Sequence, residues 1–352
     1  MRRLKFFQSI NEALSQSMSK NSKVLIMGLG VDDPKGIFGT TYGLKKKFGL
    51  SRVFDMPTAE NSMTGVAIGV SLSGFRPVLT HQRVEFALLS MEQIINQAAK
   101  WYYMNAGQMN VPLVIRIIVG RGWGNGPQHT QSLESLFSNI PGLKVISPSN
   151  PKDAKGLLIS SIEDKNPVIF FENRWLYETY GNVPKNYYKV PIGKCNILKK
   201  GQDITLVSNS YMALECLNAS KVLKRIGINV EVIDLRTLRP LDSKTILKSV
   251  KKTKKLLVID NGWPQYGISS EVISLVSEIF SKKKINIQLD RLSIADVPIP
   301  SSRSLTKHCY PNPYLISKKI FNILNKKDKK LKKLFKTNNL HDVPDKNFTG
   351  PF

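Results

Sequence analysis

Two residues, Glu60 and His129, stand in sequence settings that are typical of catalytic groups. Glu60 comes just after the strand-like run RVFDM (52–56) and begins a stretch rich in small residues, ENSMTGVAIGVSLSG. Open α/β sheets bind their ligands beyond the carboxyl ends of the strands, where a carboxyl group can hold a proton for a reaction. The alternative is an acidic side chain that only complements the dipole at a helix N-terminus.

His129 belongs to a loop, GRGWGNGPQHT (120–130), which has four glycines within seven residues and follows an apolar strand-like run. Few structural roles require so many glycines, whereas catalytic loops often have this composition. The sequence therefore favours His129 as a candidate catalytic residue, with an ordinary surface histidine as the alternative.

Several common kinds of site are excluded because their motifs are missing. The segment GLGVDDPKG (28–36) lacks the third glycine of a dinucleotide-binding loop and places two aspartates where a pyrophosphate would approach. The sequence has no P-loop, zinc-protease or nucleophile-elbow motif. Its three cysteines, Cys195, Cys216 and Cys309, are far apart without CxxC spacing, which argues against a disulfide scaffold and a structural zinc site.

The elements that position Glu60 and His129 are predicted from apolar runs of strand length that alternate with segments of helical period. The predicted strands are 23–28, 52–56, 76–81, 112–120, 143–148 and 167–173, and the helices are 6–19, 59–72, 90–105 and 151–163. Because these strands are continuously apolar, we expect a mostly parallel, doubly wound sheet with helices on both faces.

The alternation stops at residues 174–202, which carry turn-forming Gly and Pro without a sustained period. It then resumes with strands at 204–210, 228–236, 255–262 and 285–293 and helices at 211–226, 242–251, 267–281 and 313–325. We therefore predict two doubly wound α/β domains. Their predicted bounds are 1–180 and, for the smaller second domain, 204–325, with a linker at 181–203 and a basic tail at 326–352.

The chain of 352 residues carries a formal net charge of +26. Its lysine runs fall mostly at predicted helix ends and turns, and aromatic residues do not alternate with them, which argues against a nucleic-acid partner. No apolar stretch approaches the 18 residues of a membrane-spanning helix, and the basic N-terminal segment turns polar where a signal peptide is apolar. We expect a soluble cytoplasmic protein with no membrane partner.

A set of segments occurs in order along nearly the whole chain: TAENSMTGVAIGVSLSGFRPV, MEQIINQAAKWYYMNAG, PQHTQSLESLFSNIPGLKVISPSNPKDAKGLL, DKNPVIFFEN, VPIGK, VIDLRTLRPLD, DNGWPQYGISSEV and ADVPIPSS. With this set the chain resembles the beta subunits of thiamine-diphosphate-dependent 2-oxo acid dehydrogenases, of the pyruvate, branched-chain and acetoin group. The resemblance implies a pyrimidine-binding, transketolase-like domain and a transketolase C-terminal-like domain. It also implies oxidative decarboxylation of a 2-oxo acid with acyl transfer to lipoamide.

The resemblance implies roles for individual residues. Glu60 would hydrogen-bond the aminopyrimidine of thiamine diphosphate and favour the tautomer that generates the reactive ylide. His129 would steady the substrate carboxylate or serve in acyl transfer. Phe86 would pack against the aminopyrimidine ring, and Gln82 would also approach the cofactor.

Partners and metals follow from the same resemblance. The GDG…N segment that holds the diphosphate through magnesium is absent here and belongs to an alpha subunit in this family, which implies an α2β2 heterotetramer docked on a lipoyl acyltransferase core. A structural potassium ion is also implied, held by main-chain oxygens. The matching positions are Leu113, Ser161, Ile162, Asp164 and Asn166. An ordinary helix-to-strand turn at these positions is the alternative.

The chain departs from typical members at THQRVEF (80–86), where they carry apolar or small residues. His81 and Arg83 would approach the substrate there, and Arg83 could bind an additional carboxylate or phosphate or could pair with Glu85. Arg121 is likewise bulkier than usual. These differences leave the 2-oxo acid and the acyl acceptor open.

Two other functions stay open at this point. One is a thiamine-dependent carboligase or the C-terminal half of a split transketolase; VPIGK and GWPQYG favour the dehydrogenase over it. The other is a non-catalytic binding module that uses its basic surface, and such a module would be indifferent to replacement of Glu60 or His129.

Overall fold

A computed structural model of the chain describes residues 2–122, 124–326 and 331–335, so that most of the predicted basic tail lies outside the described residues. The strands are β1 (Arg2–Lys5), β2 (Val24–Gly28), β3 (Val53–Asp55), β4 (Arg76–His81), β5 (Val114–Val119), β6 (Lys144–Ile146), β7 (Val168–Asn173), β8 (Tyr180–Val183), β9 (Asn196–Lys199), β10 (Ile204–Ser208), β11 (Val230–Asp234), β12 (Thr237–Arg239), β13 (Lys255–Ile259) and β14 (Gln288–Leu292). The α-helices are α1 (Phe6–Lys20), α2 (Leu44–Phe48), α3 (Glu60–Leu72), α4 (Val84–Ala87), α5 (Ala99–Met104), α6 (Glu134–Ser138), α7 (Pro151–Glu163), α8 (Ser210–Lys224), α9 (Ser243–Thr253), α10 (Ile268–Lys282), α11 (Arg303–Thr306), α12 (Pro313–Ile323) and α13 (Leu331–Leu334).

The chain forms two compact units, and the first contains residues up to 121, 136–192 and 238–240. Its main sheet has the strand order β12-β6-β7-β5-β4-β2-β3, and the pairs from β6 through to β3 are parallel. Every residue of β2, β5 and β7 is buried, and these strands are mostly apolar in the sequence, with Arg116 in β5 and Glu172 and Asn173 in β7 as the polar exceptions.

Helices of the first unit begin where the sequence supplies suitable end groups. At α7, the side chain of Asn150 accepts a hydrogen bond from the main-chain N–H of Asp153 at 2.9 Å, and Pro151 fills the first turn. Both features favour a helix start at this point. The apolar face of α7 is buried and packs against α1.

The core of the first sheet contains one buried ion pair, between β5 and β7. Arg116 binds Glu172 through two hydrogen bonds, Nε to Oε1 at 2.5 Å and Nη2 to Oε2 at 2.9 Å, and both side chains are fully buried. The Tyr177 hydroxyl donates to Glu172 Oε2 at 2.8 Å. These bonds satisfy the buried charges, as burial in an apolar core requires.

The second unit contains, among the described residues, those of 122–135, 193–237 and 241–335. Its sheet has the strand order β14-β13-β10-β11-β9, parallel except for the antiparallel pair of β11 with β9. The predicted fold class, two α/β domains with a mostly parallel sheet, is confirmed. Among the described residues, no helix is both long enough and apolar enough to cross a membrane.

The segment that the sequence left without regular structure contains two short strands. β8 pairs antiparallel with β1 in the first unit, and β9 pairs with β11 in the second. Each has only four residues and is largely exposed or half-buried, so neither carries the apolar pattern that predicts a strand.

Candidate active site

Glu60 is the first residue of α3, directly beyond the carboxyl end of β3. Its side chain is buried, at 7% exposure, and within the described part of the chain its carboxyl group forms no hydrogen bond or ion pair. A buried carboxyl group without a partner is costly, and a ligand with a hydrogen-bonding nitrogen would offset that cost. Binding of a ligand by Glu60 stays a prediction.

Helix α3 also presents an open surface. A Cβ atom added at Gly69 would meet nothing within 4 Å, although glycine weakens a helix interior. Val66 on the same helix is 50% exposed, and Leu89, Tyr103 and Met104 on the adjoining segments are 64%, 87% and 58% exposed. We call these four side chains the exposed apolar face.

His81 ends β4 and is almost completely buried, with Nε2 at 3.4 Å from Oγ1 of Thr64 on α3. Burial lowers the pKa of His81 to about 4, so the imidazole is neutral at physiological pH. It can therefore offer a substrate a hydrogen bond but not a positive charge.

Gln82 and Phe86 lie just beyond His81. The Gln82 side-chain amide donates to the carbonyl oxygen of Leu29 at 3.0 Å and so holds the loop that follows β2. Gly30 in that loop has a φ of 71°, and a Cβ atom there would lie 2.7 Å from Nε2 of Gln82. Phe86 is half-buried in α4. Contact of Gln82 or Phe86 with a cofactor stays a prediction.

Three arginines follow the carboxyl ends of three adjacent strands. Arg83 comes two residues after β4, Arg121 two residues after β5, and Arg174 directly after β7. Arg83 and Arg121 are buried, and Arg174 is half-buried. Arg83 and Arg121 stood out in the sequence, whereas Arg174 did not. We call this set the strand-end arginines.

His129 lies in the second unit, at the end of the short helical turn Pro127–His129. The loop is anchored by Gly124, whose N–H donates to the Ser301 carbonyl at 3.1 Å, and by the Asn261 side chain, which donates to Ser132 Oγ at 2.6 Å. His129 itself is half-buried. The glycine-rich loop is thus held at two points with its histidine accessible.

One of these glycines has a conformational reason. Gly126, just before the helical turn, has a φ of 69°, and a Cβ atom there would approach Ser301 Oγ to 3.1 Å. Its carbonyl accepts a hydrogen bond from Thr130 Oγ1 at 2.8 Å, which closes the turn around His129.

Two buried carboxyl groups in the second unit were not predicted from the sequence. Burial and the charge of Asp260 raise the pKa of Glu134 to about 7. Burial also raises the pKa of Asp260, although its oxygens accept hydrogen bonds from the N–H groups of Gly262 at 3.0 Å and Ser269 at 2.8 Å. Glu134 is five residues beyond His129 and begins α6, and its only sequence signal was its place in the SLES segment.

The main-chain oxygens expected to hold potassium lie at the end of α7 and the start of β5. Nη1 of Arg76 donates to two of them, those of Ile162 and Asp164, at 2.8 Å each. The Leu113 oxygen accepts from Val168 N at 2.9 Å. Each carbonyl oxygen has two lone pairs, and the Arg76 guanidinium uses only one of them. Arg76 therefore competes with a potassium ion for these oxygens but leaves each of them one lone pair. The potassium site, including Ser161 and Asn166, stays a prediction.

The chain matches two family models, described as the pyrimidine binding domain of transketolase over residues 2–179 and the C-terminal domain of transketolase over residues 193–316. Among solved structures it is similar to a split gene transketolase, an inactive beta4 tetramer, with a TM-score of 0.71 and 20% identity. That likeness covers 90% of this chain and 97% of the other, and it supports the fold alone.

Curated relatives are more similar in sequence. The mitochondrial pyruvate dehydrogenase E1 component subunit beta of Drosophila melanogaster is 39% identical, over 86% of this chain and 84% of the relative. The corresponding Rickettsia bellii subunit is 38% identical, over 87% and 94%. The beta subunit of acetoin:2,6-dichlorophenolindophenol oxidoreductase from Cupriavidus necator is 39% identical, over 86% and 92%. The chain therefore belongs to the transketolase-related family of 2-oxo acid dehydrogenase E1 beta subunits.

Proposed function

We propose that this chain, joined to an alpha subunit, decarboxylates a 2-oxo acid at a thiamine diphosphate whose aminopyrimidine is bound by Glu60. The observation that carries the proposal is the buried carboxyl group of Glu60, which lies at the sheet edge without a partner in the described part of the chain. An aminopyrimidine nitrogen is the kind of group that such a carboxyl can hydrogen-bond. When bound, the cofactor supplies the carbanion chemistry.

Within this proposal, the chain's own residues hold protons and orient groups. Glu60 exchanges a proton at its carboxyl oxygen with the bound ring nitrogen, and its burial excludes water from that hydrogen bond. Phe86 packs against the ring face. His129 binds the substrate carboxylate or assists acyl transfer to a lipoyl group on an acyltransferase core.

An alpha subunit is supported by two features of the chain. The sequence has no segment that would hold a diphosphate through magnesium, so that metal would be bound mainly by the partner. The exposed apolar face of Val66, Leu89, Tyr103 and Met104 is of the kind that a partner covers. We propose an α2β2 assembly with this face buried.

The split-transketolase alternative is less well supported. Its representative shares 20% identity with the chain, whereas the E1 beta subunits of Drosophila melanogaster and Rickettsia bellii share 39% and 38%. Nothing in the described residues favours a non-catalytic binding module over an enzyme that also binds a partner.

The test is calorimetric titration of thiamine diphosphate with magnesium into this chain, into its candidate alpha subunit, and into their mixture, followed by turnover of a panel of 2-oxo acids. We expect binding only to the mixture. Tight binding to this chain alone would contradict the shared site. In Glu60→Gln, turnover should fall by about 100-fold or more while the assembly persists.

Glu271→Gln is the matched control, because Glu271 is an exposed acid in the first turn of α10. If Glu60 only complements a helix dipole, the two variants will behave alike, with a loss of stability below about 1 kcal/mol and near-normal turnover. That result would overturn the role of Glu60.

A further inference from the structure

We infer that the second unit has an interaction surface for an acidic polypeptide segment of a partner protein. The surface is the edge of the second sheet at which its four parallel strands begin. The strand register brings the starts of β11, β10, β13 and β14 into one row, formed by Val230, Ile204, Lys255 and Gln288. The inference goes beyond the proposed function and does not rest on it.

Basic residues are concentrated at this edge. In an α/β sheet each crossover helix ends where the next parallel strand begins, so α8, α9 and α10 end here. The antiparallel strand β9 ends here as well. The chain segments concerned are 199–204, 221–231, 251–255 and 282–288, and they contain twelve basic and two acidic residues. We call the basic residues of these four segments the basic edge.

Most side chains of the basic edge are exposed and have no partner. Ten are exposed, and Lys199 and Lys255 are half-buried. Lys252 binds Glu231, and Lys199 and Lys221 donate to oxygens of α8. Within the described part of the chain, the other nine form no side-chain hydrogen bond or ion pair. The charge of the basic edge is therefore presented to solvent.

The acids of the same segments do not neutralise this charge. Glu231 is used by Lys252, and Asp203 accepts a hydrogen bond from the main-chain N–H of Asn229 at 2.6 Å without forming an ion pair. The pKa of Lys199 is lowered by burial and also by the charge of Lys224. These two cations are thus close enough to repel each other, and a bound anion would relieve that repulsion.

Helix dipoles explain only part of the basic edge. A cation complements a helix dipole within the last turn of the helix. Lys200 follows a strand, Lys255 begins one, and Lys283 and Lys284 lie beyond the end of α10. Charges at these places do not stabilise a last turn, so a different role accounts for them better.

The first unit provides a comparison within the same lysine-rich chain. At the starts of its parallel strands the cations have partners of their own. Lys144, which begins β6, pairs with Asp164 at 2.5 Å. Arg52, just before β3, and Arg76, which begins β4, donate to main-chain oxygens. The overall composition of the chain therefore does not by itself produce unpartnered cations at a sheet edge.

The partner must carry many negative charges. A second copy of this chain, with its formal charge of +26, would be repelled. The chain's own segment 326–352 has eight basic and three acidic residues and is unsuitable for the same reason. Parallel strands lie about 4.8 Å apart, so the edge is about 14 Å wide between its outer parallel strands. The Debye length at physiological ionic strength is about 8 Å, so neighbouring cations attract such a partner jointly.

The residue types favour carboxylates over phosphates. Eleven of the twelve basic residues are lysines, whose point charges fit carboxylates spaced along a flexible chain, whereas the planar fork of arginine is preferred for phosphates. The four segments contain no aromatic residue on which a base could stack. Stable membrane binding takes an apolar or lipid anchor in addition to charge, and Ile226, at 37% exposure, is the one exposed large apolar side chain in these segments. An acidic polypeptide fits best.

A partner bound at the basic edge would leave the histidine loop open. Asn261, which holds that loop through Ser132, follows the opposite end of β13. A strand of five residues spans about 17 Å, which separates the two ends of the second sheet.

The experiment titrates fluorescently labelled poly-L-glutamate into the full chain and follows fluorescence anisotropy at low and at physiological ionic strength. We expect binding that weakens as the salt concentration rises. The variant Lys224→Glu/Lys251→Glu/Lys283→Glu reverses one unpartnered exposed charge from each helix end. It should raise the Kd by about tenfold or more.

The matched control is Lys23→Glu/Lys46→Glu/Lys152→Glu, which makes the same change in net charge at exposed positions of the first unit. It should raise the Kd by less than about twofold, because these lysines lie outside the basic edge. Circular dichroism verifies that both variants fold.

Carbodiimide coupling of the unaltered chain to poly-L-glutamate gives a second readout that needs no variant. The reagent joins lysine amines to carboxylates that touch them, and mass spectrometry locates the amide bonds. We expect them at Lys224, Lys251 and Lys283 in preference to Lys23, Lys46 and Lys152.

Two kinds of result overturn the inference. One is equal weakening in the two triple variants, or amide bonds spread evenly over the exposed lysines, because the basic edge would then have no special role. The other is tighter binding of duplex DNA or of phosphatidylserine vesicles than of poly-L-glutamate at equal charge concentration, which would assign the surface to phosphates. Since these measurements record binding to the chain alone, failure of the proposed function would not alter them.

Discussion

The imidazole of His81 lies 3.4 Å from the hydroxyl group of Thr64, and both side chains are buried between β4 and α3. This contact links the strand that leads to Arg83 with the helix that begins at Glu60. Because the imidazole is neutral there, protonation must disrupt its surroundings before it can occur. The stability of the fold should therefore depend on pH in part through His81.

For His81, the pKa is about 4 in the folded chain and near 6.5 when unfolded, so the unfolded state binds more protons between these values. The free energy of unfolding should fall by up to roughly 3 kcal/mol as the pH is lowered from 7 to 4. His81→Phe should remove this component, as measured by urea unfolding at several pH values. His308→Gln, at an exposed position, is the control and should leave the dependence as in the wild type. An unchanged dependence in His81→Phe would refute the assignment.

Removing one partner of the Arg116–Glu172 pair should lower the free energy of unfolding more than replacing both partners with apolar residues. Arg116→Met leaves the buried Glu172 carboxylate without its cation and should cost about 3–5 kcal/mol in unfolding free energy. The double variant Arg116→Met/Glu172→Leu should be less destabilised than Arg116→Met. Lys189→Met, which breaks the exposed pair with Glu163, should cost less than about 1 kcal/mol. Equal losses for Arg116→Met and Lys189→Met would show that burial does not determine how much an ion pair contributes to the free energy of unfolding.

Glu134 should produce the opposite pH dependence from His81. Its pKa is raised to about 7, above its ordinary value of 4.5, so the folded state binds more protons between these values. The free energy of unfolding should decline by up to roughly 3 kcal/mol as the pH rises from 4.5 through 7. Glu134→Gln should flatten this decline in unfolding titrations, leaving the part due to Asp260, whose pKa is also raised. A decline of full size in Glu134→Gln would count against the assignment.

For His129, the acyl acceptor distinguishes two roles. In His129→Ala, a role in acyl transfer predicts a loss of about 100-fold with a lipoyl acceptor and a much smaller loss with a dye. A role in binding the substrate carboxylate predicts a raised KM with both acceptors. His308→Ala is the exposed control. Near-normal kinetics with both acceptors would indicate that His129 is an ordinary surface histidine.

The sequence was most informative where burial dictates residue type. The runs predicted at 76–81 and 167–173 became β4 and β7 with bounds within one residue, because strands buried on both faces are mostly apolar. Strands β1 and β8 were missed, because their pairing joins distant, largely exposed segments and leaves no local pattern. GLGVDDPKG, which lacks the features of a dinucleotide-binding loop, is the end of β2 followed by turns and bends.

The positions of the candidate site residues on the elements were predicted in part for the same reason. Glu60, His81 and Arg83 lie where the sequence placed them, at strand ends and a helix start. Arg174 was missed because it follows β7, and the sequence does not show that β7 lies next to β5 in the sheet. In the chain, β6 stands between these two strands. The contact of Arg76 with the oxygens of Ile162 and Asp164 spans more than 80 residues and likewise has no local signal.

The anchoring of the His129 loop has a consequence for how the gene can be divided. Residues 122–135 interrupt the first unit in the chain but belong to the second, where Ser301 and Asn261 hold them. A recombination event at a single point between 180 and 204 would inherit His129 from one parent and its anchors from the other. We therefore expect functional exchange between relatives only when residues 122–135 and the C-terminal half come from the same parent.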